Sequence, residues 1–130
     1  NEVTAGAYAL MDVLNSEYQT SLMPAAMVIG TVGSIPRQGL AVGDAGMKTN
    51  GNDIGLPRVI NIPNAEVMYL SAEHCNINTS KVKQPITVGD KLLFQPYDVG
   101  VTANLFDFIM LIKEGELQSI LDITARGRYR

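Results

Sequence analysis

Short apolar stretches recur along this chain at roughly ten-residue spacing, each closed by a corner rich in glycine or proline. That rhythm constrains the fold more than any other feature. Stretches this short cannot make long helices, and antiparallel strands joined by tight corners satisfy both spacing and turn chemistry. The sequence therefore predicts about six to eight strands and a mainly β, antiparallel barrel-like domain with one or two short helices.

Taken in order, Glu2 to Tyr8 reads as a short extended piece and Ala9 to Ser16 as about two helical turns, with Leu10, Val13 and Leu14 on one side. From Ala26 the run AMVIGTVGSIP is β-branched, with Gly30 and Gly33 inside it, which predicts a bent or bulged strand. Pro36 to Gly39 is a turn, and Leu40 to Lys48 the return strand. Arg58 to Ile62 lies between prolines and is at most an edge strand. Ala65 to Leu70 alternates in part, and Ser71 to Asn78 is a polar cluster. Gly89-Asp90 turns the chain into a strand at Lys91 to Gln95. Pro96 to Gly100 makes a corner, and a second strand follows, ending in Phe108 to Ile112. Lys113 to Glu116 is a hairpin turn, and Leu117 to Ala125 returns. The hairpins Ala26–Lys48 and Leu105–Ala125 are expected at the barrel's centre, with Ala9–Ser16 its only substantial helix.

Composition removes several function classes. Ten basic and thirteen acidic residues give a net charge of −3 with no block of like charge, which argues against a nucleic-acid face or a membrane-surface patch. No apolar run is long enough to span a bilayer. The single cysteine, Cys75, excludes an internal disulfide and fits a reducing, cytoplasmic setting. No signal peptide is expected. The chain opens at Asn1, not at methionine, so it is expected to be processed or cut from something longer.

Candidate chemistry is sparse. His74 is the only histidine, and it adjoins Cys75, so in a strand the two point to opposite faces and do not make a metal pair. Cys75 reads as a small buried thiol. Asp44, Gly46 and Lys48 share one strand face by period two, with Asp44 and Lys48 about 13 Å apart. That face is either a polar exterior or a surface that meets another domain. No lysine stands where its amine would be desolvated as a Schiff base requires. The glycines of Gly30–Gly33 and Gly51–Gly55 are not followed by helices, so there is no phosphate loop.

Several motifs nevertheless occur in a telling order. They are Ala5-Gly6-Ala7-Tyr8, Asp44-Ala45-Gly46-Met47-Lys48, Gly55-Leu56-Pro57, Leu70-Ser71-Ala72-Glu73-His74, Val88-Gly89-Asp90, Pro96 to Asn104, and Ala125-Arg126-Gly127. In this order and spacing the chain resembles the C-terminal part of the D-threonine aldolase/D-serine dehydratase family, pyridoxal-phosphate enzymes related in fold to alanine racemase.

The resemblance implies a two-part enzyme. An N-terminal (β/α)8 barrel would carry the cofactor lysine, and a C-terminal β domain would close over the active site, often with homo-oligomerisation. Residues 1–24 would be the end of the barrel and a connecting helix, and residues 25–130 the β domain. Gly6, Ala7 and Tyr8 would lie near the cofactor phosphate. Asp44, Lys48, His74, Asp98, Thr102 and Asn104 would form an active-site wall or domain interface. Metal-dependent members carry a ligand pair at the positions that are Asp98 and Gly100 here, and a glycine has no side chain to bind with. The chain alone is then expected to hold neither cofactor nor metal and to be inactive. The other reading is a stand-alone β-barrel binding or interaction module without catalysis.

Overall fold

The structure, a computed structural model, describes residues 2, 6–18 and 21–128. Strand accounts for 35% and helix for 10% of the described residues, so the domain is mainly β.

Six strands form one antiparallel sheet: β1 (Val28–Arg37), β2 (Leu40–Gly43), β3 (Arg58–Val59), β4 (Glu66–Leu70), β5 (Cys75–Asn78) and β6 (Lys91–Gln95). Their order is β3-β6-β1-β2-β5-β4. The two edge strands, β3 and β4, approach each other, so the sheet curls into a nearly closed barrel. β1 makes this curl possible. Its first half pairs with β6 (Val28 opposite Phe94, Thr31 opposite Lys91) and its second half with β2 (Val32 opposite Gly43, Arg37 opposite Leu40), through two register shifts. The irregularity expected from the glycines is present at Gly33, between Val32 and Ser34, while Gly30 pairs in regular register with Leu92; a shifted register twists a strand away from its first partner.

Alternation fills the barrel. Val28 and Val32 of β1, Leu92 and Phe94 of β6, and Cys75 and Ile77 of β5 point inward, with Ala41, Val59 and Leu70 beside them. Fully burying an aliphatic or aromatic side chain of this size stabilises by about 1.5–3 kcal/mol, so this interior holds the domain together without a disulfide.

Several expectations need correction, among them the Ser71–Asn78 cluster, whose second half is strand β5. The return strand does not run from Leu40 to Lys48. It stops at Gly43, where the Asp44 carboxylate accepts the Thr31 N–H at 2.6 Å. Asp44, Gly46 and Lys48 therefore do not share a strand face, since the chain turns after Gly43. The predicted helix Ala9–Ser16 is two shorter pieces, a 3-10 turn (Ala7–Ala9) and α1 (Val13–Ser16), separated where Met11 takes φ +48°. Of the extended piece expected over Glu2 to Tyr8, residues 3–5 lie outside the described residues, and Ala7 and Tyr8 are not extended, because they belong to the 3-10 turn.

A third helical turn, α2 (Val99–Ala103), stands where the sequence suggested only a corner. Finally, the Leu105–Ala125 hairpin is not central. Strands β7 (Phe108–Lys113) and β8 (Glu116–Asp122) form a separate two-stranded sheet joined by a turn with positive φ at Glu114 and Gly115. That geometry is the one two-residue hairpin turns favour.

Candidate functional site

Strand β6 ends in the corner Pro96–Asn104, and three separate parts of the chain are fastened to it. The first is the segment around α1. Gln95 is buried and its Nε2 donates to the Met11 carbonyl at 3.3 Å. Val13 N–H donates to the Pro96 carbonyl (3.0 Å) and Leu14 N–H to that of Tyr97 (3.1 Å). Asp12 completes the joint. Its Oδ1 accepts from the backbone and side-chain nitrogens of Asn15 at 2.8 and 2.7 Å, and its Oδ2 accepts from Val99 N–H at 3.1 Å. Burial pushes this carboxyl up, but the bonds from Asn15 and Val99 outweigh it and hold it below the ordinary carboxylate range.

The second part is the loop after β2. Thr102 is buried in α2, and its Oγ1 accepts the Gly51 N–H at 3.1 Å. Further along the same loop, Gly55 lies against the Tyr97 ring. The third part is the C-terminal segment: Asn104 Oδ1 accepts the Gly127 N–H at 2.8 Å, and Arg126 pairs with Asp107 at 2.9 Å.

Within the corner, Asp98 Oδ1 accepts from Gly100 N–H (2.8 Å) and Val101 N–H (3.1 Å), capping α2. A capping carboxylate satisfies backbone donors that the first turn cannot pair internally.

The stretch Gly46–Gly51 connects this corner to a second cluster. Met47 N–H donates to Ser71 O (2.8 Å), Lys48 N–H donates to Ala72 O (3.1 Å), and the Lys48 ammonium pairs with Glu73. Gly46 packs so closely on the Ser71–His74 backbone that a side chain there would overlap it. Lys48, Glu73 and His74 are exposed at this crossing.

The expected wall residues thus fall into groups. Asp98, Thr102 and Asn104 share the corner, Lys48 and His74 share the crossing, and the Thr49–Gly51 loop links the two. Asp44 is exposed at the end of β2, tied to Thr31. Residues the sequence reading passed over are Asp12, Asn15, Gln95 and Gly51. Only Asp12 left a signal, an acidic residue just ahead of a short apolar-periodic run, which is the pattern of a helix N-cap.

Gly6 and Tyr8 are exposed, Ala7 is half-buried, and open space surrounds the position a Gly6 side chain would take. All five lysines are exposed, so none of them is desolvated as a Schiff-base anchor requires. Among the described residues no three His, Cys, Asp or Glu side chains converge as metal ligands. Cys75 lies buried behind exposed His74, and burial pushes its thiol up, away from a reactive thiolate. The arrangement is suited to shaping and recognition, and among the described residues it contains no activated nucleophile with its base.

Comparison with known proteins gives consistent matches. Residues 25–112 match the family described as a putative serine dehydratase domain. The chain is 29% identical over 133 residues to a D-threonine aldolase of an Arthrobacter species, covering 99% of this chain and 35% of that protein. It is 27% identical over 141 residues to a 3-hydroxy-D-aspartate aldolase of Paracoccus denitrificans, covering 98% and 35%. The crystal structure of a D-threonine aldolase from Filomicrobium marinum superposes with a TM-score of 0.80 at 31% identity, over 98% of this chain and 36% of that one. The chain therefore spans about a third of the length of the curated relatives it matches.

Proposed function

The chain belongs to the putative serine dehydratase domain family, and on that premise we propose that it is the C-terminal β domain of a pyridoxal-phosphate-dependent enzyme acting on β-hydroxy D-amino acids, by aldol cleavage or dehydration. One observation carries the reading: the match to the aldolases runs along nearly the whole chain yet covers only about a third of their length. The remaining length is assigned to a (β/α)8 barrel that carries the cofactor lysine. Residues 1–24 are the end of that barrel with its connection, and residues 25–130 the β domain. The enzyme is cytoplasmic and homo-oligomeric.

In this reading the cofactor, when bound, supplies the electron sink for cleavage of bonds at the amino acid's α-carbon. This chain's residues supply shape. Gly6 and Ala7 leave room for the phosphate, with Tyr8 beside them. The corner bearing Asp98, Thr102 and Asn104, and the crossing bearing Lys48 and His74, form one wall and exclude water. Asp44 belongs to the domain interface.

The test assays the intact polypeptide with D-threonine and with 3-hydroxy-D-aspartate, separating glycine plus aldehyde (aldol cleavage) from ammonia plus oxo acid (dehydration). Cofactor-dependent turnover of either is expected, with none from the 130-residue chain alone. An intact polypeptide that neither binds the cofactor nor consumes any β-hydroxy D-amino acid would leave a binding module as the better account.

A further inference from the structure

The loop after β2 contains Asn50-Gly51, the only asparagine-glycine dipeptide in the chain. Asparagine before glycine is prone to cyclise onto its own backbone, because glycine has no Cβ in the way and bends freely. The fold requires this glycine. A Cβ on Gly51 would meet Val101 Cγ1 at 2.5 Å and Val101 Cβ at 3.1 Å. Close packing on α2 therefore brings the reactive pair with it.

Both residues are buried, Asn50 completely. Whatever else the protein contains can only add to that burial. Asn50 N–H donates to Gly46 O at 2.9 Å, and Gly51 N–H donates to Thr102 Oγ1 at 3.1 Å. The second bond matters most, since the Gly51 nitrogen must shed its proton before it can attack. The Asn50 amide is held more loosely. Its Nδ2 reaches Ala45 O only at 3.4 Å, and its Oδ1 has no hydrogen-bond partner among the described residues. A buried acceptor without a donor favours an opening that admits water. The Thr102 bond and the packing around it oppose that opening.

We propose that Asn50-Gly51 is a deamidation site that Thr102 holds closed, and that reaction there locks the loop open. When the loop opens, base in the entering water takes the Gly51 amide proton. The nitrogen attacks Asn50 Cγ, the Cγ–Nδ2 bond breaks, and Nδ2 leaves as ammonia with a proton returned by water. Water then opens the succinimide at either carbonyl, giving aspartate or isoaspartate with no change of oxidation state. Neither product fits the closed loop. A carboxylate there would face the Ala45 carbonyl, itself an acceptor, and an unpaired buried charge is strongly disfavoured. Isoaspartate also adds a carbon to the backbone just ahead of the Gly51 N–H that must reach Thr102. The Gly46–Gly51 stretch joins the Lys48 crossing to the corner, so a passing opening becomes a permanent separation of the two. The reaction involves neither cofactor nor substrate and is independent of the enzymatic reading.

The experiment incubates the intact polypeptide in mildly alkaline buffer and follows the product at Asn50 by peptide mapping, with amide hydrogen exchange in parallel. Deamidation of Asn50 should be at least about a hundredfold slower in the folded polypeptide than in denaturant. Thr102→Val keeps the side-chain shape but removes the acceptor, and should speed the folded-state reaction about tenfold. Thr102→Ser keeps the hydroxyl and should react like wild type. Exchange at the Gly51 amide should quicken in Thr102→Val by the same factor. The Val32 amide, bonded to Asp90 O in the barrel, should not change. Asn50→Asp builds one product directly, and its Gly51 amide should exchange fast from the outset. Folded wild type that deamidates at the denatured rate, or Thr102→Val that reacts like wild type, would overturn the proposal. So would Val32 exchange that quickens in step with Gly51, since the reaction would then follow global unfolding. An Asn50→Asp polypeptide that protects Gly51 as wild type does would end the claim that the loop stays open.

Discussion

Asp98 Oδ1 lies 2.8 Å from the backbone nitrogen of Gly100 and accepts its hydrogen. These are the two positions where the resemblance places a metal-ligand pair, and here they are bonded to each other. One oxygen of the carboxylate serves the start of α2, and the glycine contributes only its N–H. The corner is thereby held by local hydrogen bonds, and Thr102 is held one turn further along, where it receives Gly51.

Asp98→Ala should cost about 1 kcal/mol, the usual loss for an N-cap carboxylate, with Asp98→Asn much closer to wild type. Urea unfolding of the three proteins compares them directly. Equal losses for Ala and Asn would mean that the negative charge, and not the capping geometry, is what matters at this position.

The second carboxylate at the corner makes stability depend on pH. Asp12 binds its proton less tightly folded than unfolded, because the bonds from Asn15 and Val99 favour the charged form. The stability it contributes is therefore present above its ordinary value of 3.8 and is lost as the pH falls through the lower folded value. Asp12→Asn removes this dependence. The gap in urea midpoint between wild type and Asp12→Asn should be widest near neutral pH and should close in acid. A gap that widens in acid would contradict the direction.

Much of the barrel was legible from the sequence because alternation and turn chemistry agreed. Val28 to Arg37 shifts register at Gly33, Lys91 to Gln95 is a strand as read, and the Glu114–Gly115 turn falls in place. Strand β5 escaped notice because Cys75 and Ile77 alternate with Asn76 and Asn78, and asparagine has poor strand propensity that tertiary pairing with β2 and β4 overrides. Helix α2 escaped because Val99, Gly100, Val101 and Thr102 are weak helix formers, so its cap and the Thr102–Gly51 bond sustain it instead. The site was legible only in part. Asp98, Thr102 and Asn104 are close in sequence, whereas Asp12 reaches Val99 across 87 positions, a pairing that no local pattern encodes.

Cys75 offers a measure of local opening. Its thiol is buried and pushed up by desolvation, with hydrogen bonds from Gly43 and Ala45 opposing only partly. Labelling by a small thiol reagent should be at least about a hundredfold slower in the folded protein than in denaturant, since it must wait for an opening event. The raised folded value also means that the neutral thiol's contribution is complete below the unfolded value of 9.0 and is lost as the pH rises through the folded one. Labelling at the unfolded rate under native conditions would show that Cys75 is not enclosed between β2 and β4.

Gly46 tests the crossing that carries Lys48 and His74. A Cβ built there would meet His74 N at 2.5 Å and the Glu73 carbonyl carbon at 2.6 Å, with Ser71 O closer still. All three atoms are backbone, so no side-chain rotation can relieve the overlap. Gly46→Ala must push the Ser71–His74 segment away, stretching the Met47–Ser71 and Lys48–Ala72 bonds together. Overpacking of this kind costs about 1–3 kcal/mol, occasionally more. Gly33→Ala is the control, because its Cβ would meet only Val42 O at 3.7 Å, an ordinary contact. Urea unfolding should separate the two variants by that amount, and hydrogen exchange should quicken at the Met47 and Lys48 amides in Gly46→Ala alone. If the two alanine variants unfold together and those amides exchange alike, the chain does not cross itself as closely as the structure shows. Lys48 would then no longer be held against Ala72 and Glu73.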